Sequence, residues 1–347
     1  MASPAPGPPA IGQVSSDSRK VSRFLARTDP LEILAAELGP RFADYRRRWD
    51  LARSFREIPP FPLHVDYELK SDCNLRCPMC PMAGRGMGPA GGPELSLPAV
   101  KALIDEGLAQ GQASLGFGGL WEPLLSGDLP EIIGYGRERG LVEAMFNTNG
   151  LLLDERTGKD LIDSGLTRIM ISLDAARPET YRLMRPGSDL GRVEDNILAF
   201  LSLRERAKSR LPLVRLSFCL TRHNQAELGP FLERWEDKVD FFSLQSYGRF
   251  GAEAPSLFPD HSPVPPPSGR CAQPFKRLLV RHDGQVLPCC DLSGLSLGLG
   301  LAGQGLARIW SGASLADLRR RLLGDSPGGF PEACRDCQSK FGPSPTA

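Results

Sequence analysis

The chain lacks a long hydrophobic run and has almost no net charge. No segment of its 347 residues approaches the roughly 20 apolar residues that cross a bilayer. Its opening, MASPAPGPPAIGQ, has neither the basic nor the apolar region of a secretory signal. A net charge of +1, without a basic stripe, offers no attractive surface for nucleic acid. We therefore expect a cytoplasmic protein that binds neither membranes nor nucleic acid.

Cysteine, by contrast, is abundant and unevenly distributed. Cytoplasmic thiols stay reduced, so nine cysteines favour metal or redox chemistry over disulfides. Three of them stand in SDCNLRCPMCPM, at Cys73, Cys77 and Cys80, and Cys219 is isolated. The others fall in the last quarter of the chain: Cys271, Cys289, Cys290, Cys334 and Cys337. This distribution predicts two metal centres, one for each group.

Strand and helix patterns divide the chain into four parts. Residues 1–60 predict a disordered start rich in Pro, Ala and Ser, followed by a strandless helical extension. Residues 61–250 hold six strand–helix units, which predict an α/β fold, a partial (β/α)6 TIM-like barrel. Residues 251–270 are a Pro-rich linker. Residues 271–347 predict a small iron–sulfur domain with a β-hairpin, turning at Asp283-Gly284, and a helix.

Four short motifs coincide with the ends of predicted barrel strands: CNLRCPMC, GGLWEP, NTNG and SLD. Functional sites of such barrels lie at the carboxyl ends of the strands, so we expect the motifs to share one site. A zinc ribbon would need a second CxxC pair near the three thiols, and a thioredoxin motif uses two cysteines. A 4Fe–4S cluster held by three thiolates leaves one iron open to a small chelating molecule.

The C-x3-C-x2-C loop and the later motifs, in this order, resemble the radical S-adenosylmethionine (SAM) superfamily over residues 60–247. The resemblance implies that Cys73, Cys77 and Cys80 hold a 4Fe–4S cluster whose open iron binds SAM. It also implies an external electron donor, such as flavodoxin or ferredoxin. The donated electron cleaves SAM to methionine and a 5′-deoxyadenosyl radical, which abstracts a hydrogen atom from a small-molecule substrate.

The same resemblance assigns the contacts to SAM. GFGGLWEP corresponds to the GGEP motif, which holds the methionine amino group, with Trp121 in place of a glycine. Ser172 and Asp174 would approach the ribose, and Arg185 would pair with the methionine carboxylate. The full set is Gly119, Trp121, Glu122, Pro123, Asn149, Ser172, Asp174 and Arg185. The structural alternatives are a surface ion pair for Glu122 and Arg185, and helix capping for Ser172 and Asp174.

The C-terminal cysteines resemble the twitch domain, a shortened SPASM domain found on many radical SAM enzymes. The resemblance implies that four thiolates fully ligate an auxiliary 4Fe–4S cluster: Cys271, Cys289, Cys334 and Cys337. A cluster without an open iron suits electron transfer or a structural role. The pattern is similar to that of dehydrogenases of the 2-deoxy-scyllo-inosamine type. A zinc site with four cysteine ligands would have the same spacing and is the alternative.

The favoured function is oxidation of an alcohol to a ketone in a sugar or aminocyclitol-like substrate, as in natural product biosynthesis, with electron transfer to the auxiliary cluster. An epimerase is the alternative if Cys219 or Cys290 donates a hydrogen atom, although a core position and a spare thiol are the simpler interpretations. A maturase of ribosomal peptides would carry a leader-binding domain containing strands, which the strandless extension disfavours. A non-enzymatic iron–sulfur or zinc scaffold would leave the four motifs unexplained.

Anaerobic reconstitution should load about eight irons per chain, because each 4Fe–4S cluster holds four. Replacing Cys271 and Cys334 together with alanine should reduce the content to about four, since the auxiliary cluster then loses half of its ligands. Colorimetric iron analysis, with zinc measured in parallel, checks this expectation. About four irons with bound zinc in the unmodified protein would contradict the auxiliary cluster.

Overall fold

The computed structural model describes residues 12–14, 22–82, 93–248, 257, 270–289 and 292–339. Within them, eleven strands form one open sheet. The strands are Gly12–Val14 (β1), Ser22–Ala26 (β2), His64–Tyr67 (β3), Ser114–Phe117 (β4), Glu143–Thr148 (β5), Arg168–Ser172 (β6), Leu213–Leu220 (β7), Phe241–Ser246 (β8), Arg277–Val280 (β9), Gln285–Leu287 (β10) and Gly300–Leu301 (β11). The helices are Pro30–Leu38 (α1), Pro40–Arg53 (α2), Leu97–Ala109 (α3), Leu129–Glu138 (α4), Glu155–Asp163 (α5), Pro178–Met184 (α6), Leu190–Arg206 (α7), Leu228–Trp235 (α8), Leu306–Trp310 (α9), Ala313–Leu323 (α10) and Glu332–Ser339 (α11).

Seven neighbouring strands run parallel, in the order β9-β3-β4-β5-β6-β7-β8. Helices connect each successive pair from β3 to β8, as the strand–helix rhythm predicts. The predicted α/β class and partial (β/α)6 barrel are therefore confirmed, and the sheet is not closed. None of the helices in the described segments combines the length and apolar character that crossing a bilayer requires.

The barrel strands present an apolar face outward and a polar face inward. On β3, Val65 and Tyr67 are buried in the main hydrophobic core, whereas His64 and Asp66 line the barrel interior. Successive side chains of a strand point to opposite faces, which produces this division. The outer face packs against the helices, and the inner face is free to carry chemistry.

The prediction of a strandless N-terminal extension is wrong. Strand β2 pairs antiparallel with β8, and β1 pairs with β2, inside the stretch predicted to begin in disorder. These strands complete an edge of the sheet that the barrel alone would leave open. The helical part of the extension is confirmed, because α1 and α2 follow β2. Gly39, with a φ of 69°, separates the two helices.

Helices α1 and α2 cover the amino-terminal end of the barrel. The apolar stripe of α2, Phe42, Tyr45 and Trp49, is buried. It belongs to a second hydrophobic cluster with Leu63, which precedes β3, and Phe241, which begins β8. The extension therefore packs against the main domain and covers the interior from below.

The predicted C-terminal hairpin is confirmed, with β9 and β10 antiparallel about Asp283-Gly284. Its place in the fold was not predicted, since β9 pairs parallel with β3 and so extends the core sheet. Strand β11 and helix α9 were also not predicted. The domain boundaries stay a prediction. Most of the linker at 251–270, and Cys290, lie outside the described residues.

Replacing Phe42 by alanine should lower the free energy of unfolding by about 3–5 kcal/mol, because the truncation leaves a cavity in a fully packed cluster. Leu183→Ala is the matched control: this residue of α6 is 60% exposed, and its truncation should have little effect. Urea unfolding followed by circular dichroism measures both. Equal effects of the two substitutions would show that α2 does not pack against the barrel.

Candidate active site

The three early cysteines lie on a loop that leaves the carboxyl end of β3. Their side chains are half-buried and close enough to influence one another electrostatically. The amide of Cys80 donates to the carbonyl of Cys77 at 3.0 Å, and the amide of Met82 donates to the Cys80 sulfur at 3.4 Å. The loop therefore gathers the thiols and gives one of them a backbone donor, as a ligated thiolate requires.

Two contacts fix this cluster loop to the neighbouring strands. The amide of Glu122, after β4, donates to the carbonyl of Asp72 at 3.1 Å. The side-chain amide of Asn149, after β5, donates to Asn74 Oδ1 at 2.7 Å. The motifs GGLWEP and NTNG thus meet the cysteine loop at one end of the barrel, and the expectation of a shared site is confirmed for them.

Glu122 is buried, with 4% of its surface exposed, so the alternative of a surface ion pair is wrong for it. Its carboxylate accepts from Thr148 Oγ1 at 2.6 Å, from the Asn149 amide at 2.8 Å and from the Leu124 amide at 3.2 Å. Burial raises the pKa of Glu122 despite these bonds. A buried carboxylate beside the cysteine loop can accept hydrogen bonds from an ammonium group. Binding of the methionine amino group of SAM by Glu122 remains a prediction.

Asp174 and Arg185 form a second buried group beside the loop. Arg185 Nε donates to Asp174 Oδ2 at 2.8 Å, and Arg185 Nη1 lies 3.9 Å from the sulfur of Cys77. Burial disfavours the charged form of Arg185, but the Asp174 carboxylate outweighs it and raises the pKa of Arg185. Asp174 has a φ of 59°, a strained conformation of the kind found at functional sites.

The alternatives offered for the β6 residues do not hold. Neither Ser172 nor Asp174 caps a helix, because Arg177 is the N-cap of α6 and Asp189 that of α7. Arg185 is 9% exposed and its ion pair is buried, so a surface pair is also wrong. The contacts of these residues with SAM remain predictions.

Trp121, which replaces a glycine of the family motif, points to the C-terminal hairpin. Its ring packs edge-on against His282 at 6.1 Å, while Pro123 begins a short 3-10 turn. Gly119 has a φ of 115°, and a Cβ there would lie 2.2 Å from Glu68 Oε1. The motif backbone therefore passes close to Glu68 and positions Glu122, while the Trp121 ring contacts the hairpin.

Cys219 lies near the first cysteine group. It packs with Cys77 against the cluster of Met79, Met184 and Tyr247. It is half-buried, on the same face of β7 as the interior residues, and its amide donates to Asp174 Oδ1 at 2.6 Å. The thiol therefore stands at the mouth of the barrel, which the simpler interpretation as plain core did not anticipate.

The four auxiliary cysteines are half-buried, and Cys334 packs against the main core. Helix α11, which carries Cys334 and Cys337, packs against the turn at 292–297. A Cβ on Gly294 of that turn would lie 2.7 Å from the Cys289 sulfur. Glycine is therefore required beside that thiol, which is consistent with a crowded ligand shell.

The two cysteine groups lie toward opposite ends of the barrel strands. Strand β9 runs parallel to β3, with Arg277 beside His64, and β10 returns antiparallel, with Leu287 beside Leu279. Cys289, two residues past Leu287, therefore returns toward the amino-terminal end. In the described part of the chain, no three Cys, His, Asp or Glu side chains converge as a site for a single metal ion. The donor sets, three and four thiols, suit iron–sulfur clusters.

Sequence reasoning missed the polar lining of the barrel. His64 is buried, bonded to Ser114 Oγ at 2.8 Å and Asp66 Oδ1 at 3.0 Å, and borders a cavity of about 200 Å³. The cavity reaches from Trp49 of α2 to Gly119 at the mouth. The missed signal was polar residues at every second position of strands such as VRLSFCL and HVDYELK.

Two family models match separate parts of the chain. The Radical SAM superfamily model matches residues 67–215, and the SPASM model, an iron–sulfur cluster-binding domain, matches residues 271–338. The chain therefore contains a radical SAM domain followed by a C-terminal SPASM-type domain.

Curated relatives match part of the chain. A probable GTP 3′,8-cyclase of Methanococcus maripaludis is 34% identical over 142 residues, 41% of this chain and 45% of that protein. An AdoMet-dependent heme synthase of Methanosarcina barkeri is 36% identical over 129 residues, 37% of this chain and 36% of that protein. The chain thus spans less than half the length of these relatives.

Solved structures match more of the chain at lower identity. Streptococcus suis SuiB bound to S-adenosylmethionine aligns with a TM-score of 0.62 and 14% identity, over 83% of this chain and 77% of SuiB. The protein anSMEcpe with bound AdoMet aligns with a TM-score of 0.56 and 17% identity, over 74% of this chain and 82% of its own. At these identities the likeness shows the fold.

Gly119→Ala should weaken SAM binding by about tenfold or more, because the left-handed φ costs a residue with a Cβ about 1–2 kcal/mol and the clash with Glu68 adds to it. Gly118→Ala is the matched control, since its Cβ would make an ordinary 3.6 Å contact with Asn147. Equilibrium dialysis of labelled SAM against the reconstituted variants measures both. If the two variants bind SAM equally well, Gly119 does not position the motif.

Proposed function

We propose that the protein is a radical SAM oxidoreductase that oxidises an alcohol of a small polar substrate to a ketone. Cys73, Cys77 and Cys80 hold the SAM-binding cluster in this proposal. The auxiliary cluster is held by Cys271, Cys289, Cys334 and Cys337. When bound, these groups and SAM supply the radical chemistry: a 5′-deoxyadenosyl radical takes one hydrogen atom, and the substrate then loses one proton and one electron to become the ketone, the electron passing to the auxiliary cluster.

The observation that carries the proposal is the covered polar cavity beneath the predicted SAM residues. Gly119 borders the cavity at the mouth, and Tyr45 and Trp49 border it at the far end. A volume of about 200 Å³ suits a small molecule or one arm of a larger one. Hydrogen-bonding groups such as His64 and Asn147 in its wall favour a polar substrate.

The opposite placement of the two cysteine groups supports oxidation. A substrate in the cavity lies between the Cys73 loop at the mouth and the hairpin strand β9, whose Arg277 borders the same cavity. An electron leaving the substrate would therefore have a short path toward the auxiliary cysteines.

Epimerisation is the second candidate, and the position of Cys219 favours it. An S–H group at the mouth, packed beside Cys77, could return a hydrogen atom to a substrate radical. A peptide substrate is less well supported. SuiB has been solved with its precursor peptide SuiA, but the cavity here accommodates a side chain at most. The N-terminal extension contains β1 and β2, so a lack of strands does not count against a peptide substrate.

The test is incubation of the reduced, reconstituted protein with SAM and candidate cyclitols or sugars in deuterium oxide. We expect 5′-deoxyadenosine together with a ketone, because an oxidised product gains no hydrogen. Mass spectrometry of both products checks this. The matched variant Cys219→Ala should still form the ketone, since oxidation needs no thiol donor.

An epimerised product that carries solvent deuterium in the unmodified protein, and is lost in Cys219→Ala, would replace oxidation by epimerisation. Absence of 5′-deoxyadenosine from a protein with its full iron content would contradict radical SAM activity altogether.

A further inference from the structure

Four arginines in or beside the barrel interior are each paired with a carboxylate. The pairs are Arg168–Glu143, Arg185–Asp174, Arg277–Asp66 and Arg281–Glu68. A buried charge is costly unless an opposite charge or a dense set of hydrogen bonds compensates it. Each of these four guanidinium groups therefore has a carboxylate partner.

A fifth arginine, Arg215, borders the cavity without an acidic partner among the described residues. Its Nη2 donates to Asn147 Oδ1 at 3.0 Å, and the rings of Phe24 and Phe241 lie 5.7 and 6.0 Å from its guanidinium carbon. Burial, together with the charge of Arg168, lowers the pKa of Arg215 to about 9. It is therefore still protonated at neutral pH and places a cation in the wall of the cavity, which the Asp29 side chain also borders.

Two buried hydroxyls adjoin Arg215 on the same face of the sheet. Ser217 follows it by two residues on β7, and Ser243 is the partner of Ser217 on β8. Ser217 is 4% exposed and Ser243 is 1% exposed, and neither hydroxyl has a hydrogen-bond partner within the described segments. The Nε of Arg215 also has none there. These three groups on adjacent strands can therefore donate hydrogen bonds to a ligand.

We propose that Arg215, Ser217 and Ser243 bind a carboxylate group of the substrate inside the barrel. A guanidinium binds a carboxylate through two parallel hydrogen bonds, and each hydroxyl can donate one more. A carboxylate matches the single charge of Arg215, whereas a phosphate monoester, with a charge of about −2 at neutral pH, would exceed it.

This inference rests on the proposed function, because it names the substrate class of the same cavity. A carboxylate at Arg215 fixes the deep end of the substrate. The rest of the molecule then extends toward Gly119 and the cysteine loop, where the alcohol would meet the radical.

The test uses glycolate, a hydroxy acid small enough for the cavity, titrated into the reconstituted protein with SAM bound. Ligand-observed NMR gives the dissociation constant. We expect glycolate to bind at least about tenfold more tightly than ethylene glycol, its uncharged analogue, and than inorganic phosphate, a difference of about 1.4 kcal/mol. Arg215→Met should weaken glycolate binding by at least about tenfold. Ser217→Ala and Ser243→Ala, which keep the charge, should each weaken it about threefold to tenfold.

Thermal unfolding of the variants separates a binding role from a structural one. Arg215→Met should melt at or above the temperature of the unmodified protein, because it removes a cation that has no carboxylate partner among the described residues. Arg168→Met is the control, and it should melt lower because it leaves Glu143 buried without its partner.

Glycolate binding that is unchanged in Arg215→Met, phosphate binding tighter than glycolate, or a loss of stability in Arg215→Met as large as in Arg168→Met would overturn the assignment. Cleavage of SAM by the unmodified protein separates the two proposals. Without SAM cleavage the proposed function fails, and with SAM cleavage but no glycolate binding only the carboxylate site fails.

Discussion

Buried charges need partners, and this requirement holds the site together. The carboxylate of Glu122 is stabilised by donors from Leu124, Thr148 and Asn149, so it binds the end of β4 to the end of β5. Arg185 needs Asp174, which also receives the amide of Cys219 and so connects β6 to β7. The cysteine loop packs beside these groups. Moving Glu122 or Arg185 away from its partners would leave a buried charge without compensation, which is costly.

The same requirement connects the barrel to its additions. Arg281 Nε of the hairpin lies 3.4 Å from Oε2 of Glu68, the residue that follows β3. Burial raises the pKa of Glu68 to about 7. Trp121 packs on His282 beside it. At the other edge, Phe24 of β2 lies against Arg215. Both the C-terminal module and the N-terminal extension therefore contribute to the wall of one chamber, although their sequences suggest independent appendages.

Periodicity and motif order were sufficient to predict the six strands from β3 to β8 and the helices between them except α6. Both signals are local: a strand repeats every two residues, a helix every 3.6, and a cysteine loop is contiguous. The failures were non-local. Strand β2 has five residues and forms because β8 offers it an unpaired edge, and the direction of Trp121 depends on a hairpin 160 positions away. The residues next to β2 and Trp121 in the sequence indicate neither the free edge of β8 nor the position of the β9–β10 hairpin.

The sequence by itself determined the class of chemistry, because thiol spacing limits which metal centres a loop can hold. Only the tertiary structure decided which buried groups have partners. Ser217 and Ser243 are 26 residues apart and become neighbours through the register of β7 and β8. Arg168, Arg277 and Arg281 contact carboxylates that other strands of the sheet bring close, and Arg185 contacts Asp174 eleven residues earlier. Arg215 has no carboxylate partner among the described residues. Charge compensation is a property of distances in space, which strand order and register create after the chain has folded.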